Sequence, residues 1–503
     1  MEEHSTFKFT WLLQPVLIAA SPIIHMFVLN PDGISKSHLF FALTITTAAA
    51  AILFLLSSLF YRSLFKGALV TNILIFLFYA SVPIIHNLLV PISKYYFDFT
   101  IAGIRILRIK SMLLILVLVT LFLVHRYATK LKSDFFLKLF IFPLLLFFAI
   151  SLAKRTQTVQ KSNSTVEQYN NLNQTFRDTV LKQLPQTTKN KNFPDIYFII
   201  LDCYNSQEYY SKMCGFDNTP FLDQLKSRGF HIPVKTHSNY GATLQSLSSI
   251  LNMNYLPKHI QPTPFEHMWK NNNVSFFLKK LGYKYLDLYR NSLEQCKNNL
   301  KCNRSLWQEL KHELNLFCFD YYSIGRYFLQ AWTPLYQFIS FYKESLRQTI
   351  KLKLNMLNES TKLQSQKFVY AHFMIPHPPH VFTEDGSPFS PDNSKPELES
   401  ALYGHVESTK YVNREIIKSI DIILKNSKTP PIIILQGDHG YDYTYGKSNW
   451  SKYQILNSYH LPQGGNKKLY PSITPVNSFR IIFNHYFGTK LPLLVDRIAT
   501  KEN

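Results

Sequence analysis

Residues 430–440, PPIIILQGDHG, decide how the second half of this chain folds. The aliphatic run Ile432 to Leu435 is entered through Pro430 and Pro431 and closed by Gly437, Asp438, His439 and Gly440. It is short enough for a strand and apolar enough to be covered on both faces. Three runs upstream have the same character: PDIYFIILD (194–202), YKYLDLY (283–289) and FVYAHFMI (368–375). Between the first two, DNTPFLDQLKSRG (217–229) reads as a helix, with Asp217 or Asn218 as cap, Pro220 in the first turn and Gly229 as the stop. Strands alternating with helices predict an α/β domain with a mostly parallel central sheet and helices on both faces.

In such a sheet ligands bind beyond the carboxyl ends of the strands. Asp202 stands at the first of these ends and Asp438-His439-Gly440 at the last, while FVYAHFMI leads into IPHPPH with His377 and His380. Singly, each residue has a plain structural reading. An acid after a strand caps a turn, a histidine among prolines belongs to a rigid loop, and His372 inside a strand is packed. Together, carboxylates and imidazoles at three strand ends suit Zn²⁺, or Mn²⁺ and Mg²⁺ where oxygen dominates. The stretch SNYGATLQSLSSILNMNYL (238–256) sets Thr243 after Gly241 at a helix start, with Leu244, Leu247 and Leu251 on one face. Free N–H groups and the positive dipole end there suit a phosphate, and metal coordination is one route to an activated hydroxyl. Read locally, the same threonine is an N-cap.

Residues 1–153 are of another kind, dominated by Leu, Ile, Phe, Val and Ala. Five stretches approach the roughly 20 apolar residues that a bilayer-spanning helix needs: 11–29, 38–60, 67–91, 111–126 and 136–153. Four further spans after the first argue against a cleaved signal peptide. Short loops with Arg62 and Lys66, and with Arg126, Lys130 and Lys132, suit the cytoplasm; the loop with Lys94, Arg105, Arg108 and Lys110 runs against that rule. The favoured orientation has a cytoplasmic amino terminus and an external second half. Residues 154–193 are polar and read as a linker, with room for a helix lying at the membrane surface. Of the formal charge of +22, residues 1–153 carry +7 and the remainder +15. Beside a membrane half, that surplus fits anionic lipid headgroups better than nucleic acid, and no Lys/Arg block is dense enough for a nucleic-acid tail. Of the cysteines Cys203, Cys214, Cys296, Cys302 and Cys318, the pair in QCKNNLKCN, Cys296 and Cys302, reads equally as a disulfide or as two free thiols.

The segments FPDIYFIILDCY, GFDNTPFLDQLKSRGF, SNYGATLQSLSSILNMNYL, AHFMIPHPPHVF and PPIIILQGDHG resemble the sulfatase-like branch of the alkaline-phosphatase superfamily. More narrowly, spans followed by such a domain look like lipoteichoic-acid synthases and lipid A phosphoethanolamine transferases. The resemblance covers residues 194 to about 490; over the anchor it is one of architecture only. It implies three parts: a transmembrane domain at 1–153, the linker at 154–193 and a catalytic domain at 194–503. It also implies one divalent metal ion, Zn²⁺ or Mn²⁺ with Mg²⁺ or Ca²⁺ as alternatives, held by Asp202, Thr243, Asp438 and His439. Thr243 would be the nucleophile as well, and His377, His380 and His460 would contact substrate. None of the five cysteines begins the C/S-x-P-x-R pattern of formylglycine sulfatases and Thr243 cannot be converted, so sulfate-ester hydrolysis by that route is not expected. What is expected is transfer of a phosphoethanolamine- or phosphoglycerol-type headgroup from a membrane phospholipid to an envelope glycan or lipid, through phospho-threonine. The location would be the bacterial cytoplasmic membrane, with the domain on the external or periplasmic side. The alternatives are a phosphodiesterase or phosphatase that uses water, and a non-catalytic membrane sensor.

Overall fold

The computed structural model describes residues 3–29, 36–84, 122, 126, 133–185, 193–258, 264–288, 341–391, 394, 396–442 and 450–499. It has two compact units, Met1–Lys161 with Leu306–Tyr342 and Ser162–Ser305 with Lys343–Asn503. In the first unit α1 (Glu3–Leu29), α2 (Lys36–Tyr61) and α3 (Leu64–Ile84) pack together. Small residues let them approach: Ala19 and Ala50 are buried beside Ile75 and Tyr79, and the Tyr79 hydroxyl donates to Ala19 O at 2.8 Å. Within α2, Ala42–Tyr61 is the one stretch among the described residues long and apolar enough to cross a membrane; Leu13–His25 and Leu64–Phe76 are shorter apolar helices. Ile52, Leu55, Leu56, Leu59 and Phe60 stand exposed on α2, an outer surface that water would disfavour. Helices thus occupy, wholly or in part, four of the five expected spans. The fourth, 111–126, lies outside the described residues except for 122 and 126.

The helix α4 (Ser133–Leu181) runs on through most of the expected linker, and from Ser162 the chain belongs to the second unit. There Tyr169, Asn173, Phe176 and Val180 recur at helical spacing. Tyr169 and Val180 are buried, and Phe176 packs against the core of that unit. Asn173 and Asn273 exchange two amide hydrogen bonds of 3.0 and 2.8 Å, and the Tyr169 hydroxyl donates to Asn252 Oδ1 at 2.8 Å.

The rest of the second unit alternates in the expected way. It runs β1 (Ile196–Leu201), α5 (Gln207–Cys214), α6 (Thr219–Ser227), α7 (Thr243–Asn252), α8 (Phe265–Lys270), α9 (Asn273–Lys280), β2 (Lys284–Asp287) and α10 (Phe341–Ser360). It continues with β3 (Lys367–Phe373), α11 (Glu397–Asn426), β4 (Ile432–Gly437), β5 (Asn457–His460) and α12 (Ser478–Phe487). The sheet order is β2-β3-β1-β4-β5, parallel except for β5. Both faces are covered. Tyr197, Ile199 and Leu201 point with Val369, Ala371, Ile433 and Leu435 into one core, completed by Leu357, Val412, Ile416 and Ile420 of α10 and α11. Ile196, Phe198 and Ile200 face the other, completed by Leu247 and Leu251 of α7 and by Phe277, Phe479 and Phe483. The period of two along each strand is what sorts them. Leu201 is in register with Phe373 on one side and Gly437 on the other, so three parallel strands end level with one another.

Candidate metal centre

Asp202 and Asp438 follow directly from β1 and β4, which is why residues 236 positions apart meet. Both are buried, at 1 and 0 % exposure. The turn after β1 is tight. Cys203 takes a left-handed φ of 63°, an uncommon conformation for a side chain with a Cβ and one found at sites that hold functional groups in place. It directs the Cys203 N–H to Asp438 Oδ1 at 3.2 Å. Gly440 is required by close packing: a Cβ there would run into Ser451 O and lie 2.5 Å from Asn205 Nδ2.

Asp202, Asp438 and His439 bring their ligand atoms within 4.8 Å of one another. His439 Nε2 lies 3.5 Å from Asp438 Oδ2, 3.8 Å from Asp202 Oδ1 and 3.1 Å from Thr243 Oγ1. Thr243 is the first residue of α7. The N-cap is Ala242, with no side-chain capping bond, and the Thr243 hydroxyl instead meets the imidazole. Leu247 and Leu251 seat the helix in the core, leaving Thr243 partly exposed above the strand ends. A second trio, Asp202, Cys203 and His377, also gathers within 4.8 Å.

The electrostatics follow from burial. Desolvation pushes the Asp202 carboxyl up, but the charge of His377 and the hydrogen bond from His372 outweigh it and hold it well below the usual range. Burial, then the charges of Asp202 and Asp438, push the Cys203 thiol up, so it stays protonated. Burial lowers His439 while Asp438 and Asp202 raise it, with a net rise. Among the described residues the only ionisable nitrogens within 4.0 Å of the two carboxylates are those of histidines. Asp202 Oδ1 and Asp438 Oδ2 are buried and accept no hydrogen bond. Two dry carboxylates without Lys or Arg need another positive charge. Two carboxylates, an imidazole and a hydroxyl fit a divalent cation.

The remaining expected residues divide. His377 lies at the edge of the centre, partly exposed, on a loop with cis bonds before Pro376 and Pro379, and its Nδ1 meets Pro378 O. His380 is 8 % exposed and packs instead on Phe389 and His405, with ring centroids 6.3 and 5.7 Å away. Burial and the neighbouring His405 and His377 hold it well below the ordinary histidine value. His460 is a correction. It pairs with Ile433 near the start of β4, five residues from Asp438, or roughly 17 Å at strand spacing. There its Nδ1 bonds Pro431 O at 2.8 Å, and the ring packs on Phe230.

His372, read from sequence as a packed residue, is fully buried, but its Nε2 lies 3.1 Å from Asp202 Oδ2. It pairs with Ile200 in the sheet, so Asp202, two residues on, shares its face; the register is the signal that finds it. His405 of α11 was not anticipated at all. Its Nε2 lies 3.3 Å from the Tyr210 hydroxyl, and its ring stacks on Tyr210. Cys203 and Cys214 are free thiols; Cys296, Cys302 and Cys318 lie outside the described residues.

No family model and no curated protein matches the chain. Solved structures do. The carboxyl-terminal periplasmic domain of EptC from Escherichia coli is similar over 60 % of this chain and 85 % of its own, at 10 % identity and a TM-score of 0.39; a second structure of it is a complex with Zn. The corresponding domain of the phosphoethanolamine transferase EptC from Campylobacter jejuni covers 60 and 92 %, at 14 % identity and a TM-score of 0.34. A phosphonate monoester hydrolase from Silicibacter pomeroyi covers 61 and 75 %, at 12 % and 0.38. At TM-scores below 0.5 these neighbours carry no weight for the reaction, which rests on the side chains.

Proposed function

We propose that this chain is a membrane-anchored phosphotransferase, moving a phospho-headgroup from a phospholipid to an envelope acceptor through Thr243. The observation that carries this reading is a helix-start hydroxyl 3.1 Å from an imidazole that also faces two buried, unsatisfied carboxylate oxygens. Asp202, Asp438, His439 and Thr243 would hold one divalent cation. When bound it supplies the charge that favours an ionised hydroxyl and offsets charge on the phosphoryl oxygens.

The residues divide the remaining work. Thr243 Oγ1 forms a bond to phosphorus as the bond to the diacylglycerol oxygen breaks, and the free N–H groups of the first turn of α7 receive the phosphoryl oxygens. His377 gives a proton to the leaving oxygen and regains, through solvent, the proton that Thr243 Oγ1 loses on attack. An acceptor hydroxyl then attacks the phospho-threonine, and its proton ends on Thr243 Oγ1. His372 holds Asp202 in place from the side away from substrate. The exposed apolar face of α2 supports a membrane location, where the donor lies, and in this reading the domain is on the external side.

Peptide mass spectrometry on the Thr243 fragment, from cells with a normal lipid pool, tests this. The expected adduct has the mass of a phospho-headgroup and is absent in Thr243→Ala. A purified protein that holds no divalent metal, and forms no adduct, would overturn the reading in favour of a non-catalytic sensor.

A further inference from the structure

A groove of about 750 Å³ opens in part along the segments that follow Asp202 and His439. One of its walls is Asn205, three residues past Asp202. Asn205 Oδ1 accepts from Tyr441 N at 3.1 Å, and its Nδ2 donates to Ser451 O at 3.2 Å. The wall is thereby tied to the segment that follows His439 and Gly440. The lining is amphipathic. Trp450 is 49 % exposed and Val234 81 %, and the lining also includes hydroxyl and amide side chains. Lys212 and Lys226 are paired to Glu208 and Asp223; Lys235 has no ion-pair partner among the described residues. Asn457 also lines the groove. It is 1 % exposed, and its Oδ1 accepts no hydrogen bond, whereas its Nδ2 donates to Thr236 Oγ1 at 2.9 Å.

An exposed indole face next to amides and hydroxyls has the chemistry that receives a sugar ring: apolar C–H groups on one side, hydroxyl donors on the other. We infer that the groove binds a saccharide and is the acceptor subsite. The inference deepens the transferase reading and rests on it for the word acceptor, though not for binding. A sugar hydroxyl presented past Asn205 forms the new P–O bond as the P–Oγ1 bond of phospho-Thr243 breaks, and the hydroxyl proton passes to Oγ1.

The test titrates full-length protein in detergent with chitotriose and maltotriose, read by saturation-transfer NMR, with metal content as the check on folding. At least one sugar is expected to bind. Trp450→Ala weakens that binding roughly fivefold at unchanged metal content, and Trp450→Phe restores most of it. Failure of both sugars to bind, or undiminished binding by Trp450→Ala, overturns the inference. So does a result in which Trp450→Ala weakens association with phosphatidylglycerol vesicles instead, which makes the groove a membrane contact. Mass spectrometry of Thr243 separates the two readings. An adduct without sugar binding sinks the groove alone, while sugar binding without adduct or metal sinks the transferase and leaves a saccharide site.

Discussion

Asp202 Oδ1 and Asp438 Oδ2 face one imidazole nitrogen from 3.8 and 3.5 Å, and an amide at either position would remove half the charge that a cation must balance. Asp438→Asn is therefore expected to lose bound metal on purification, measured by plasma mass spectrometry; retention of wild-type stoichiometry would refute the assigned ligand set. His372 acts one step back, through Asp202. Its truncation to alanine should weaken metal affinity about 10–100-fold, read by competition with a chromogenic chelator, with partial rescue in His372→Gln. A purely packed histidine would leave affinity unchanged. His405 gives a pH prediction. Burial lowers it to about 3, against about 6.5 in the unfolded chain. Between those values the unfolded state binds the extra proton, so stability is full above pH 6.5 and falls as the pH drops toward 3. His405→Gln should flatten the decline of Tm between pH 6.5 and 4; an unchanged slope would assign the acid loss to other groups.

At the level of elements, the helix that presents Thr243 is fixed at its far end. Asn252, its last residue, receives the Tyr169 hydroxyl of α4, and the neighbouring Asn273 exchanges amide bonds with Asn173. Asn173→Ala strands a buried amide and should cost about 1–3 kcal/mol in thermal unfolding of the full chain, whereas Gln174→Ala, one position off this face, should cost far less. These contacts also show what the sequence could and could not reveal. The four parallel strands were legible because each is a run of apolar residues between turn-formers. The fifth, NSYH at 457–460, was not: it is short and half polar, and its pairing with β4 makes it a strand. That pairing carries His460 away from the centre, which spacing alone does not disclose. Thr243 at a helix start was legible, but its hydroxyl turning from capping to His439 depends on the level ends of β1 and β4. His372 was read correctly as packed inside a strand, but its contact with Asp202 was not legible, since that lies with a cross-strand neighbour. The linker reading missed the face of Tyr169, Asn173, Phe176 and Val180, because asparagine does not register as an interface residue until its partner is in view.

For the whole molecule, a metal that binds only the folded form adds about 2.7 kcal/mol when present at a hundred times its dissociation constant. Stripping the full-length protein with a chelator should lower Tm measurably, and restoring Mn²⁺ or Zn²⁺ should recover it; a Tm indifferent to both would deny the centre a resident ion. The sheet order has a further consequence, in the timing of synthesis. Strand β1 lies in the middle of the sheet, between β3 and β4, yet it leaves the ribosome before either. At roughly 5–20 residues per second, β4 follows on the order of ten to fifty seconds after β1. Until β3 emerges the most apolar strand of the unit has both edges bare, and the edge that β4 will cover stays open for the whole interval. The innermost strand is the first made and among the last to be paired, so the nascent chain depends on shelter until residue 437 has emerged.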